Sequence, residues 1–222
     1  MYNILQRVVQ RVLRFVYRIY GKNKQSTLCV NPIQEMDPRP LILFDLNETL
    51  VYRDPPLSYP RKSTLRPHLK YLKLLKTNFK LGVYSCANKR NVDPIVQQIE
   101  ESMDERIFDI VLDQSHCRDA PDEVKQSLQK PYAKQKPLYA RFGKQIDMSK
   151  IILIDDDRYK CLRKERRNLI LIPKWNCIHD KDTFIPILVK SILKYINSDD
   201  DVRLGVKRIN YVLRKHKREY NQ

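Results

Sequence analysis

The chain has 222 residues, 42% of them hydrophobic, enough for one sizeable α/β domain with extensions and too few for two full domains. Forty-three Lys and Arg against 26 Asp and Glu give a formal charge of +17, so its partners are expected to be anionic. The charge is concentrated at the ends, with six basic and no acidic residues in 1–34 and seven basic and one acidic in 202–222. No reading motif accompanies it, which argues against a dedicated nucleic-acid-binding domain. The five cysteines, Cys29, Cys86, Cys117, Cys161 and Cys177, are odd in number and contain no CxxC pair. With only four His, this argues against a disulfide framework or a zinc site and implies a reducing, intracellular setting, cytoplasmic or nuclear. The Asn47-Glu48-Thr49 sequon is then a chance match.

From the start, Arg7, Arg11, Arg14 and Arg18 fall at spacings of four, three and four, one stripe of a helix with apolar residues around it. No charge-free run approaches the roughly 20 residues a bilayer span needs, and arginines interrupt every apolar centre that a secretory signal would require. Three readings stay open for this helix: docking on the core or a partner, peripheral association with an anionic membrane, and a mitochondrial-type presequence. Gly21, Pro32 and Pro38 mark a linker. The domains are therefore read as 1–39, basic amphipathic helix and linker; 40–205, the folded domain; and 206–222, a basic C-terminal tail.

The folded domain opens on LILFDLNETL at 41–50, an apolar run too short for a helix and unalternating, as in a strand buried on both faces of a parallel sheet. It delivers Asp45 to the strand's carboxyl end, the edge at which open α/β sheets bind ligands. Residues 52–66, with Pro55, Pro56 and Pro60, read as a loop or small hairpin over that edge. Residues 67–77 have helical spacing, with Leu69, Leu72, Leu74 and Leu75 facing the core. Further strands are expected at 79–84, 107–112, 151–154 and 169–172, and helices at 91–102, 122–128, just after Lys136, and 183–196. Strands alternating with helices predict a Rossmann-like parallel sheet with helices on both faces.

On that topology Asp45 and Asp155–Asp157 reach the same sheet edge. Clustered carboxylates suit a hard ion such as Mg²⁺. Ser85, ending another strand, and Lys136, opening a helix, add a hydroxyl and an ammonium, and the set together could bind a phosphate beside a nucleophilic Asp.

FDLNETL resembles the DxDxT motif of the haloacid dehalogenase superfamily. The closer likeness is to its branch of phosphatases acting on the RNA polymerase II carboxyl-terminal domain (CTD), also called NLI-interacting-factor-like. The likeness continues through LRPHLKYL at 65–72, VYSCANKRNVDPIV at 83–96, FDIVLDQSHC at 108–117, KPLYARFG from Lys136, ILIDDD at 152–157, IPKW at 172–175 and DDVR at 200–203. The resemblance implies a Mg²⁺-dependent phosphatase acting on Ser/Thr phosphate in a protein. Asp45 would become the aspartyl-phosphate, Thr49 would orient it, Ser85 would hold a phosphate oxygen, and Lys136 would neutralise charge. Asp45, Asp155, Asp156 and the backbone carbonyl of Asn47 would hold the ion, with Asp156 the closer match to the direct ligand.

The chain departs from the pattern at three places. Asn47 replaces the second Asp of DxDxT, the family's acid-base, so an impaired enzyme or a phosphate-binding pseudophosphatase is the alternative expectation. The flap before Arg66 is short, and Gln114 stands where relatives often carry an arginine, which bears on substrate choice. Compact members of this branch occur in large DNA viruses, and the chain resembles them. Independently, the basic ends, including Lys207, Arg208, Arg214, Lys215, Lys217 and Arg218, could recruit anionic membrane, nucleic acid or an acidic partner, or form a solvated helical face.

Overall fold

A computed structural model describes residues 37–54, 62–177, 182–197 and 199–220. The readings of the amphipathic helix and most of its linker, and of prolines 55, 56 and 60 in the flap, lie outside them. Five short strands form one parallel sheet in the order β5-β4-β1-β8-β9: β1 Leu41–Phe44, β4 Lys80–Tyr84, β5 Ile110–Leu112, β8 Ile151–Asp155 and β9 Leu169–Leu171. The chain runs from β1 outward to β4 and β5, then returns to the other side for β8 and β9. The order therefore reverses between β1 and β8, the switch point at whose carboxyl ends open α/β sheets bind ligands.

The unbroken apolar run of β1 is explained by burial on both sides. Ile42 and Phe44 enter the larger core with Ile152 and Ile154 of β8, whereas Leu41 and Leu43 enter the smaller one with Ile151 and Leu153. The larger core is closed by helices α1 Lys89–Glu101, α4 Phe184–Tyr195 and α5 Val202–Tyr220. The smaller is closed by Leu138 and Phe142 of α3, Leu138–Phe142. The remaining helix, α2 Asp122–Leu128, lies where its pattern predicts and buries none of its residues.

The segment after β1 is a hairpin, β2 Val51–Arg53 antiparallel to β3 Ser63–Leu65. A second small pair, β6 Arg118–Asp119 with β7 Lys134–Gln135, lies in the polar span whose sequence shows no period. Two-residue strands carry too little alternation to be read.

Three expectations need correction. Residues 69–75 form a 3₁₀ helix, which buries Leu69, Leu72 and Leu75 and leaves Leu74 55% exposed. Three residues per turn align 69, 72 and 75 and rotate 74 away from the core. The strand expected at 107–112 is only Ile110–Leu112, although Ile107 and Phe108 ahead of it are buried.

The segment from 206, read as a tail, begins inside α5 and belongs to the unit Pro38–Gln222. Val202, Val206, Ile209 and Leu213 are buried at spacings of four, three and four, so an apolar stripe is hidden among the basic residues. Gly205 faces α4 so closely that a Cβ there would lie 2.3 Å from the Tyr195 carbonyl oxygen.

Candidate active site

The first carboxylate of the candidate site leaves the sheet at the end of β1. Asp45 donates its backbone N–H to the Ile154 carbonyl (2.9 Å), which extends the β1–β8 ladder by one step and fixes the residue at the switch point. The chain then turns at once: the N–H groups of Thr49, Leu50 and Val51 all converge on the Leu46 carbonyl, and Glu48 adopts positive φ. From β8 come Asp155 and Asp156. The three carboxylates are buried and each offers an oxygen within 4.8 Å of the others.

Lys136 is held by two devices. Its N–H donates to the Lys160 carbonyl (2.7 Å), and the following helix α3 is capped by the buried Glu165, which accepts from the N–H groups of Leu138 and Tyr139. Its fully buried ammonium bridges Asp45 Oδ1 at 2.8 Å and Asp155 Oδ2 at 2.6 Å.

Lys160, which the sequence reading passed over, adds a second cation. Its Nζ lies 2.7 Å from Asp45 Oδ2, 3.4 Å from Asp155 Oδ1 and 3.3 Å from Asp156 Oδ1. Its position four residues after Asp156, in the turn that leaves β8, was the available signal. Lys174 pairs with Glu48 at 2.7 Å and reaches Asp156 Oδ2 at 3.5 Å.

These charges set the ionisation of the site. Burial pushes the Asp45 carboxyl up, but the Lys136 and Lys160 ammonium groups outweigh it and hold the group at about 2. Burial also raises Asp156, and Asp155 and Asp45 add to the rise against the pull of Lys160, leaving it at about 6. Lys136 moves upward despite burial because Asp155 and Asp45 flank it.

Asp155 is committed to the protein, with Oδ2 on Lys136 and Oδ1 accepting from the Asp157 N–H. Asp156 Oδ2, by contrast, is buried without a hydrogen-bond partner. The donor set fits a hard divalent ion: three close carboxylates, one with a buried oxygen that accepts no hydrogen bond and has only the Lys174 ammonium at 3.5 Å.

Ser85 follows β4 on the far side of β1 from β8, buried, with its hydroxyl accepting from the Ala87 N–H. Thr49 differs from the expected arrangement, since its hydroxyl donates to Asp156 Oδ1 at 3.3 Å. Asn47 is half-buried, and its side-chain Oδ1 has no hydrogen-bond partner. Gln114, also half-buried, follows β5 and donates its N–H to the Ala87 carbonyl.

Arg66 braces these loops from behind. Its buried guanidinium donates twice to Asp182 Oδ2, at 3.0 and 2.8 Å, and once to the Thr49 carbonyl at 2.9 Å. Cys86 and Cys117, 31 residues apart, carry free thiols with sulfurs 3.6 Å apart. Their proximity follows from the pairing of β4 with β5 and is invisible in their spacing.

The family model described as NLI interacting factor-like phosphatase matches residues 40–203. Among solved structures, the chain is similar to a variant of the fission yeast RNA polymerase II CTD phosphatase Fcp1 bound to beryllium fluoride. Identity is 17% and the TM-score 0.46, over 82% of this chain and 57% of that one. A second Fcp1 structure gives 19% and 0.45, over 81% and 54%. A haloacid dehalogenase superfamily hydrolase from Geobacter sulfurreducens gives 13% and 0.35, over 55% and 82%. The chain thus spans little more than half the length of the two Fcp1 chains. No curated protein sequence matches it.

Proposed function

The chain belongs to the NLI interacting factor-like phosphatase family, the CTD-phosphatase-like branch of the haloacid dehalogenase superfamily, and from that premise we propose that it is a Mg²⁺-dependent phosphatase of Ser/Thr phosphoproteins. The observation that carries the proposal is the ammonium of Lys136 set between Asp45 and Asp155 at 2.8 and 2.6 Å, where the sheet order reverses. It keeps Asp45 ionised at neutral pH and ready to act as a nucleophile. In this reading an Asp45 oxygen attacks phosphorus opposite the ester oxygen, the ester P–O bond breaks, and the leaving oxygen takes a proton from solvent water. Water then attacks the acyl phosphate, releasing phosphate and restoring the carboxylate. Ser85 and Lys136 hold phosphate oxygens. Asp45, Asp155, Asp156 and the Asn47 carbonyl would hold the ion, with Asp156 the closer match to a direct ligand; when bound, the ion neutralises charge on the phosphoryl oxygens.

A second reading, a phosphate-binding pseudophosphatase, is favoured by Asn47. An amide neither protonates the leaving oxygen nor activates water, and general acid-base help is worth about 10²–10⁴ in rate. An aryl phosphate, whose leaving group needs no acid, should be cleaved better than a phosphoserine peptide.

Phosphate release with Mg²⁺ from both substrates, measured for the native chain, Asn47→Asp and Asp45→Asn, tests the two readings. An enzyme shows native activity that Asp45→Asn abolishes and Asn47→Asp increases, most on phosphoserine. Turnover only in Asn47→Asp selects the binding reading. Activity that survives Asp45→Asn removes the nucleophile assignment.

A further inference from the structure

Lys160 is the one cation that touches all three carboxylates among the described residues, and nothing in the reaction sequence above uses it. It rises from the turn directly after β8, with its carbonyl pinned by the Lys136 N–H, its N–H donated to the Asp157 carbonyl (3.1 Å) and its side chain 23% exposed. The backbone is thus anchored, and reach toward solvent falls to the flexible four-carbon stem. Four acidic groups, Asp45, Glu48, Asp155 and Asp156, face three ammonium groups, Lys136, Lys160 and Lys174. One negative charge is left over. Without Lys160 two would remain, the balance a divalent ion neutralises.

We propose that Lys160 is a tethered cation that competes with the divalent ion for Asp45, Asp155 and Asp156, so that metal enters only as the Lys160 ammonium swings out toward solvent. The inference rests on the reading of these carboxylates as metal ligands. Lys136 cannot play the same part, because its ammonium is fully enclosed and pairs with Asp45 and Asp155 but not with Asp156. Lys174 touches only Asp156 of the three. The device lets the protein keep a packed site with a single uncompensated charge without metal, at the cost of weak metal retention.

Calorimetric titration of Mg²⁺ into the full chain, its Lys160→Met variant and its Lys160→Arg variant provides the test. Loss of the ammonium should tighten Mg²⁺ binding about tenfold or more, while Lys160→Arg should stay near the native affinity. Equal affinity in native chain and Lys160→Met overturns the inference and leaves the metal reading standing. Absence of Mg²⁺ binding in both overturns the two together. Because Lys160→Met leaves three buried carboxylates underpaired, a second measurement uses the native chain alone. Acetylation of Lys160 by an amine-reactive ester, followed by mass spectrometry, should accelerate severalfold when Mg²⁺ is saturating. An unchanged or slower rate contradicts the swing.

Discussion

An amide such as that of Asn47 can accept and donate hydrogen bonds, but at neutral pH it surrenders no proton, so the proposed nucleophile and the position of the family's acid-base have different fates. Asp45, Lys136, Asp155 and Asp156 form a connected set of ion pairs, whereas Asn47 leaves its side-chain oxygen buried and unpaired. Asn47→Asp is therefore expected to raise phosphoserine turnover by about 10² or more and, because the same carboxylate would activate the water of the second step, aryl turnover by a smaller factor; an equal effect on both substrates would contradict a defect in leaving-group protonation. Arg66 makes the opposite kind of contribution, holding the loop after β1 to the one before α4. Arg66→Met strands a buried Asp182 and should cost roughly 3–5 kcal/mol in chemical denaturation. Site residues at strand ends were legible because an apolar run that stops at Asp, twice, has few other meanings. Lys160 was not, since a lysine after an acidic turn is ordinarily a solvated neighbour. Only the fold of that turn back over β1 makes it part of the site.

At the scale of elements, short apolar runs disclosed β1, β4 and β8, and helical spacing α1 and α4. It misled where the period itself changed, as in the 3₁₀ helix that releases Leu74, and where charge masked an apolar stripe, as in α5. That last helix is integral to the domain. Gly205→Ala would drive a methyl into the Tyr195 carbonyl and Ile196 side chain, and overpacking of this kind costs about 1–3 kcal/mol. Equilibrium denaturation should show that loss; an unchanged midpoint would mean that α5 packs loosely against α4.

For the molecule as a whole, the basic residues of α5 and the buried ones divide the helix cleanly. Lys207, Arg208, Arg214, Lys215 and Lys217 are exposed, opposite Val206, Ile209 and Leu213. Among the described residues no helix is long and apolar enough to cross a membrane. We propose that this face contributes to recruitment of an anionic partner. Replacing Lys207, Arg214 and Lys217 by Glu should weaken binding to anionic vesicles or heparin at low salt and flatten its salt dependence. Retention of both would leave the face as merely solvated. The central claim, that Asp45 is a working nucleophile in an assembled site whose second step is slow, is tested most directly by rapid mixing of the native chain with excess aryl phosphate and Mg²⁺. The account predicts a burst of about one aryl alcohol per chain, slow turnover after it, and a phosphoryl group on the peptide containing Asp45. Absence of a burst in both the native chain and Asn47→Asp, with no phosphoryl group on that peptide, would contradict it.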